Sequence, residues 1–235
     1  MAAAGDHLAV SEIFGPTLQG EGVSAGRAAA FLRLAGCYVG CGWCDTRYSW
    51  DDSPDKPLIY DQLDTRTCWA RVEAHLPAGA RPLLVVTGGE PLLQGEQLVP
   101  VLRRAHAHGC RVEIETSGTQ PPGDLTPFVD LFTVSPKLEH SGVAEARRLI
   151  PALLNEFAST SKAVFKFVVR GPQDLDEVAA VSLPYPDVPV IIMPLGTTSD
   201  RIAHSLRALA GPVAGRGWTL TGRMHIDLWG NVPGR

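Results

Sequence analysis

Arg33 to Trp50 reads RLAGCYVGCGWCDTRYSW and holds Cys37, Cys41 and Cys44, three of the chain's five cysteines, in the spacing C-x3-C-x2-C. Thiolates are ligands for soft metals, and three on one short loop bind one metal centre. The number is informative. A structural zinc site closes four ligands, and so does an iron–sulfur cluster that only carries electrons. Three thiolates on a four-iron cluster leave one iron open to an outside ligand. The competing reading of the residues alone is a three-cysteine zinc site completed by a distant histidine. A disulfide fits less well, because the opening MAAAGDHLAV lacks a basic-then-apolar signal segment and a reducing cytosol is expected.

Outward from this loop the chain alternates between strand and helix signals. Upstream, Ala28–Ala35 is an apolar run interrupted by Arg33, a strand whose arginine calls for an anion partner if it faces inward. Before it, His7–Phe14 reads as a strand. The intervening GPTLQGEGVSAGR reads as a glycine loop that brings backbone close to a ligand, with Gln19 and Glu21 in its middle. Downstream, Asp51–Leu63 is polar and turn-rich. A helix capped by Thr65 or Thr67 runs to about Leu76 and carries Cys68 as a packing residue.

Leu83–Val86 is all apolar, as a parallel strand covered on both faces would be. It runs into Thr87-Gly88-Gly89-Glu90-Pro91, and Pro91 opens a helix to about His108 that Gly109 ends. Strand, glycine turn and helix start present backbone N–H groups to an anion, but the pattern is not G-x-G-x-x-G, so a dinucleotide fingerprint does not fit. Cys110 reads as packing. Arg111–Thr116 alternates, with Glu113 and Glu115 on one face and Glu115 at the strand's C-terminal end. Leu131–Val134 is the next strand and ends in Ser135-Pro136-Lys137. Further on, Val143–Ser159 is helical and broken by Pro151. Ala163–Val169 is a strand with Lys166 inside an apolar run, and Asp174–Val181 a short helix. Val188–Leu195 is a strand, and Thr197–Ala210 a helix capped by Thr198 or Ser199. Trp218–Trp229 is an alternating segment carrying His225.

The expected fold is α/β, an incomplete (β/α) barrel of about six mainly parallel strands with irregular late helices, and with functional groups at strand C-terminal ends. Its 235 residues suit one domain, with a core at about 8–229. The net charge of −4 offers no basic footprint for nucleic acid, and no apolar run approaches the ~20 residues of a membrane span.

These motifs together resemble a known family. The cysteine spacing followed by GGEP is similar to the radical S-adenosylmethionine (SAM) superfamily. LQGEG, LRLAGC, CDT, TGGEP, ETSGT, SPK and a late histidine resemble, more narrowly, the 7-carboxy-7-deazaguanine synthases, over about Glu12–Trp229. The resemblance implies a [4Fe–4S] cluster on Cys37, Cys41 and Cys44, with SAM on the open iron and cleaved to a 5′-deoxyadenosyl radical. Gly89 and Glu90 would meet the SAM amino group. Glu115, Ser135, Pro136 and Lys137 would serve its ribose and carboxylate, Trp43, Cys44 and Asp45 would lie by the adenine, and Met193 would line the adenine pocket. The implied substrate is 6-carboxy-5,6,7,8-tetrahydropterin, bound by Leu18, Gln19, Gly20, Glu21, Thr87 and His225, with Arg33 on its carboxylate. It is converted to 7-carboxy-7-deazaguanine with loss of ammonia on a route to queuosine or a related deazapurine, and SAM is regenerated. Mg²⁺ on Thr46, a homodimer and a flavodoxin-type electron donor are also implied. The chain departs from the family pattern in continuing past Trp229 to Arg235, and in Leu138–Ala152.

Two other functions stay open on the residues. One is a radical SAM activating enzyme acting on a protein glycine, against which the polar glycine loop and Thr46 favour a small anionic substrate. The other is a non-catalytic metal-binding or electron-transfer module. That module needs a fourth close ligand, which neither Cys68 nor Cys110 supplies by position.

Overall fold

The computed structural model describes residues 6–55 and 57–234; Met1–Gly5, Lys56 and Arg235 lie outside the described residues, so the expectations placed on the first residues and the last are not addressed by it. β1 (His7–Leu18) and β2 (Ala28–Leu34) form an antiparallel hairpin, and β3 (Asp61–Asp64) adds to the outer edge of β1. α1 (Thr65–Glu73) leads to β4 (Leu83–Gly88), then α2 (Gly95–Ala107), β5 (Arg111–Thr116) and β6 (Leu131–Val134). The short α3 (Glu145–Arg148) and α4 (Pro151–Ser159) precede β7 (Ala163–Val169). α5 (Leu175–Ser182), β8 (Val190–Pro194), α6 (Ser199–Ala214), β9 (Thr219–Leu220) and α7 (Met224–Trp229) complete the chain.

One sheet runs in the order β3-β1-β2-β4-β5-β6-β7-β8-β9, and every neighbouring pair from β2 to β9 is parallel. The expected six-strand core is β2 and β4 to β8, and it stays open as an incomplete barrel. No helix among the described residues is long and apolar enough to cross a membrane.

Period-two alternation decides what each strand presents to either face. One set of residues, including Leu32, Leu84, Val86, Val112, Ile114, Phe132, Val134, Phe165, Phe167 and Ile192, packs under the helices in the main core. The residues between them form the inner layer. Its floor is apolar, with Ala29, Phe31, Leu83 and Val85 in one cluster and Leu131, Val164 and Ile191 in another. Towards the C-terminal ends the same face turns polar, through Arg33, Thr87, Glu115, Thr133 and Lys166, and there a cavity opens.

Several local expectations are corrected. β1 extends through Gly15 and Pro16 to Leu18, so the glycine loop is shorter than the sequence suggested. Asp64, not Thr65 or Thr67, caps α1, because its carboxylate accepts the Arg66 and Thr67 N–H groups at 3.0 and 2.9 Å. Pro91–Gln94 is a 3-10 turn before α2 rather than part of one helix. Gly109 does end α2, at φ +82°. β3 and β9 are strands too short for a periodic signal. His225 lies on α7, not in an extended segment, since the tail turns inward after Arg223. Residues 138–152 form a short 3-10 turn and α3 and enter α4.

Candidate active site

The cavity, about 310 Å³, lies at the C-terminal ends of the strands. The Cys37, Cys41 and Cys44 side chains are part of its wall, and among the described residues no three His, Cys, Asp or Glu side chains converge as a site for one ion. Burial pushes the Cys37 and Cys41 thiols up from their ordinary value. The loop that carries them is tied by backbone: Gly36 N–H donates to Ser49 O at 2.8 Å, and Gly42 N–H to Ser141 O at 3.0 Å. The turn after β4 lies directly against it, with Glu90 N–H donating to Gly36 O at 2.8 Å. That approach needs glycine at position 89, where a Cβ would stand 2.2 Å from Gly36 O. Cys68 and Cys110 are far from this loop, buried in the main core as expected of packing residues, and burial raises their thiols to about 12 and about 11.

A charge network forms another part of the wall and reaches the cysteine loop at Asp45. The Glu21 carboxylate accepts from Lys166 Nζ at 2.6 Å and from Arg223 Nε at 2.9 Å. Burial opposes ionisation of Glu21, but Lys166 and then Arg223 outweigh it and hold the group far below the usual carboxylate range. Burial likewise opposes the charge on Lys166, and Glu21 and Glu115 reverse the balance, so its pKa is raised. Arg223 also donates to Gly196 O at 2.6 Å and to the Asp45 carboxylate. Burial lowers the His225 pKa, which leaves a neutral ring. An arginine only donates, so the 3.4 Å contact from Arg223 Nη2 makes His225 Nε2 an acceptor and puts the ring proton on Nδ1. Gln19 Nε2 donates to Glu115 Oε1 at 3.1 Å, and Lys137 Nζ donates to Ser135 Oγ at 3.0 Å while lying 5.7 Å over the Trp43 ring.

The residue set fits a cluster. Three thiols border one cavity, backbone N–H groups approach the Cys37 sulfur, and Trp50 Nε1 donates to the Cys44 sulfur at 3.2 Å. Comparisons with known proteins agree. A family model described as a 4Fe-4S single cluster domain matches residues 18–121. The 7-carboxy-7-deazaguanine synthase of Pyrobaculum aerophilum is 37% identical, over 96% of each chain. The chain belongs to the 7-carboxy-7-deazaguanine synthase family. The Bacillus subtilis relative is 29% identical, over 97% of this chain and 98% of that one. The crystal structure of QueE from Escherichia coli superposes with a TM-score of 0.72 at 25% identity, covering 93% of this chain and 95% of that one. Streptococcus suis SuiB bound to its precursor peptide SuiA, at 11% identity and a TM-score of 0.56, shares the fold alone.

Most residues that the family pattern singles out meet in this cavity. Leu18, Gln19, Gly20, Glu21, Arg33, Thr87 and His225 line it, as do Trp43, Cys44, Asp45, Thr46, Gly89, Glu115, Ser135, Lys137 and Met193. Two do not. Pro136 is buried outside the wall. The Glu90 side chain is fully buried behind the wall, where its carboxylate accepts from Leu92 N–H and from Thr116 Oγ1 and Ser117 N–H of the lining at 3.1, 2.7 and 2.7 Å. Glu90 therefore fastens two strand-end loops together through its side chain.

Arg33 lines the cavity from β2. It does have an anion partner within the chain, Glu12, whose Oε1 accepts from Arg33 Nε at 2.6 Å and from Tyr48 Oη at 2.7 Å. The sequence reading missed several members of the wall: Lys166 as a partner of Glu21, Arg223, and the segment Asn231–Gly234 beyond Trp229. Lys166 carried a signal, a cation on the same strand face as Val164 and Val168. Arg223 and the tail carried none.

Proposed function

We propose that this chain is a radical SAM lyase that converts 6-carboxy-5,6,7,8-tetrahydropterin to 7-carboxy-7-deazaguanine with loss of ammonia, in deazapurine and queuosine biosynthesis, and that it does so as one domain. One observation carries the reading beyond family membership: the three-cysteine loop shares one cavity with Glu21, bound there by Lys166 and Arg223, and with His225. When bound on Cys37, Cys41 and Cys44, the cluster and SAM supply one-electron cleavage of SAM and hence a group able to take hydrogen from carbon.

The chain's own residues provide position. Glu21, held ionised by Lys166 and Arg223, can only accept hydrogen bonds, so it suits the N–H-rich edge of a pterin. Gln19 and the neutral His225 flank it. The Nε of Arg33 is engaged by Glu12, which leaves the two terminal nitrogens as the fork a substrate carboxylate needs. Glu115, Ser135 and Lys137 present acceptors and a cation to the SAM amino acid and ribose, Met193 an apolar contact to its adenine, and Trp43 and Asp45 backbone. Thr46, two residues from Cys44, is the proposed Mg²⁺ ligand. A magnesium ion keeps several waters and takes few protein oxygens, so one hydroxyl suffices to place it beside the substrate carboxylate. A homodimer, a flavodoxin-type donor and a cytoplasmic location belong to the same proposal.

The test is an anaerobic reaction of the reconstituted chain with the tetrahydropterin, SAM, reductant and Mg²⁺, followed by mass spectrometry. Formation of 7-carboxy-7-deazaguanine without net SAM consumption is expected, and SAM cleavage with no deazaguanine would refute the substrate assignment. A Thr46→Ala chain that keeps full Mg²⁺-dependent activity would remove the proposed metal ligand.

A further inference from the structure

We infer that Trp50 tunes the redox chemistry of the cysteine loop: its indole N–H, donated to the Cys44 sulfur, raises the reduction potential of a cluster held by Cys37, Cys41 and Cys44. The inference rests on the cluster reading of those three cysteines.

Trp50 Nε1 lies 3.2 Å from Cys44 Sγ. An indole nitrogen is a donor only, so the direction of this bond is fixed. The Thr46 hydroxyl, 3.5 Å from the same sulfur, is free to point either way. Among the described residues, only the Cys44 sulfur takes a side-chain N–H; the Cys37 sulfur is approached by the backbone of Val39 and Gly40 and the Cys41 sulfur by its own.

The indole is held in this pose. Trp50 follows the 3-10 turn Arg47–Ser49, and its backbone N–H donates to Arg47 O at 3.0 Å. The neighbouring Ser49 ties the turn to the cysteine loop, with Ser49 Oγ donating to Thr46 O at 2.8 Å and Ser49 O accepting from Gly36 N–H. The benzo edge of the ring lies over Gly40, where an added Cβ would stand 3.8 and 3.9 Å from Cζ3 and Cη2. The Arg47 guanidinium sits on the ring, 5.6 Å from its centroid. The side chain thus spans the loop from Gly40 to Cys44 and has little freedom to turn its N–H elsewhere.

Reduction adds one negative charge to a cluster, much of it on the sulfurs. A fixed N–H dipole aimed at a ligand sulfur stabilises that added charge more than it stabilises the oxidised state, so the potential rises. Both redox states accept the bond, so only part of its worth differs between them, and its loss changes the ratio of reduced to oxidised cluster by roughly three- to ten-fold at a given potential.

Trp50→Phe removes the N–H and keeps a ring over Gly40 and under Arg47, while Trp50→His keeps a ring N–H. Wild type and both variants are reconstituted anaerobically, assayed for iron and sulfide per chain, and titrated with titanium(III) citrate while the reduced cluster is followed by electron paramagnetic resonance. The expected result is full cluster content in all three and a midpoint in Trp50→Phe shifted to more negative potential, with Trp50→His nearer the wild type. An unchanged midpoint in fully loaded Trp50→Phe overturns the inference alone. Absence of iron and sulfide from the wild type overturns the cluster reading, and the inference with it. If neither variant retains a cluster, wild-type holoprotein with 15N-indole tryptophan decides. A 15N hyperfine coupling to the reduced cluster is expected, and its absence overturns the assignment.

Discussion

Replacing Lys166 with methionine tests the charge network that reaches the cysteine loop. The change keeps an unbranched stem, one atom shorter, and removes the cation 2.6 Å from Glu21, in a pair whose side chains are 7% and 14% exposed. At that distance, with an effective dielectric of about 20, the attraction is about 6 kcal/mol. Returning the ammonium to water recovers several kcal/mol of that. Breaking a buried pair usually costs about 3–5 kcal/mol, and here Arg223 remains on the other carboxylate oxygen, so a net loss of about 2–4 kcal/mol is expected. For a chain of this size that lowers the melting temperature by roughly 5–15 °C.

The pH dependence carries the sign of both partners. Glu21 is depressed in the fold, so its contribution is present above its ordinary value of 4.5 and fades as pH falls below it, by up to ~1.4 kcal/mol per pH unit. Lys166 is raised, so its contribution is present below 10.5 and fades as pH rises through its folded value. The gap between wild type and Lys166→Met should be widest in the plateau between these limits and narrow on either side. Thermal melts by circular dichroism, in matched cluster-loading states and buffers from about pH 3.5 to pH 8, measure its acidic half. A gap under about 1 °C near neutral pH, or one that stays constant into acid, would refute the reasoning.

Two further substitutions follow from the same geometry. Glu90→Gln should cost about 2–3 kcal/mol in a thermal or urea melt, because each carboxylate oxygen faces a fixed backbone donor, Leu92 N–H or Ser117 N–H, and an amide NH₂ in either place meets another donor; an unaltered midpoint would count against that role. Gly20→Ala should raise the KM for the pterin by about ten-fold or more, because the new Cβ would stand 2.0 Å from His225 Nδ1 and displace the ring, whereas Gly211→Ala, in open space inside α6, should leave KM unchanged and gain about 0.5–1 kcal/mol in stability.

Much of this protein is local in its sequence. The spacing of Cys37, Cys41 and Cys44 names the metal chemistry because one short loop suffices to bring three thiols to one cavity. The alternation of apolar runs with helical periods names the parallel sheet, because burial on both faces leaves a mark at every strand. Arg111–Thr116 shows how far that goes: period two placed Glu115 at a strand end on the inner face, and the structure has it in the cavity wall beside Gln19.

What tertiary structure decided is which charge meets which. Arg33 faces Glu12 because the β1–β2 register, shifted between Val10 and Glu12 and again between Phe14 and Thr17, sets those two residues opposite each other; alternation alone does not reveal a shift in register. Glu21 follows β1, Lys166 sits on β7 and Arg223 precedes α7, separations of 145 and 202 residues from Glu21. They meet because the sheet curves until its early and late strands face one another across the cavity, and because α7 folds back over the opening. A sequence pattern reports the neighbours that a helix or strand brings together within a few residues. Closure of the sheet brings together residues from its two ends, and that is a property of the whole chain.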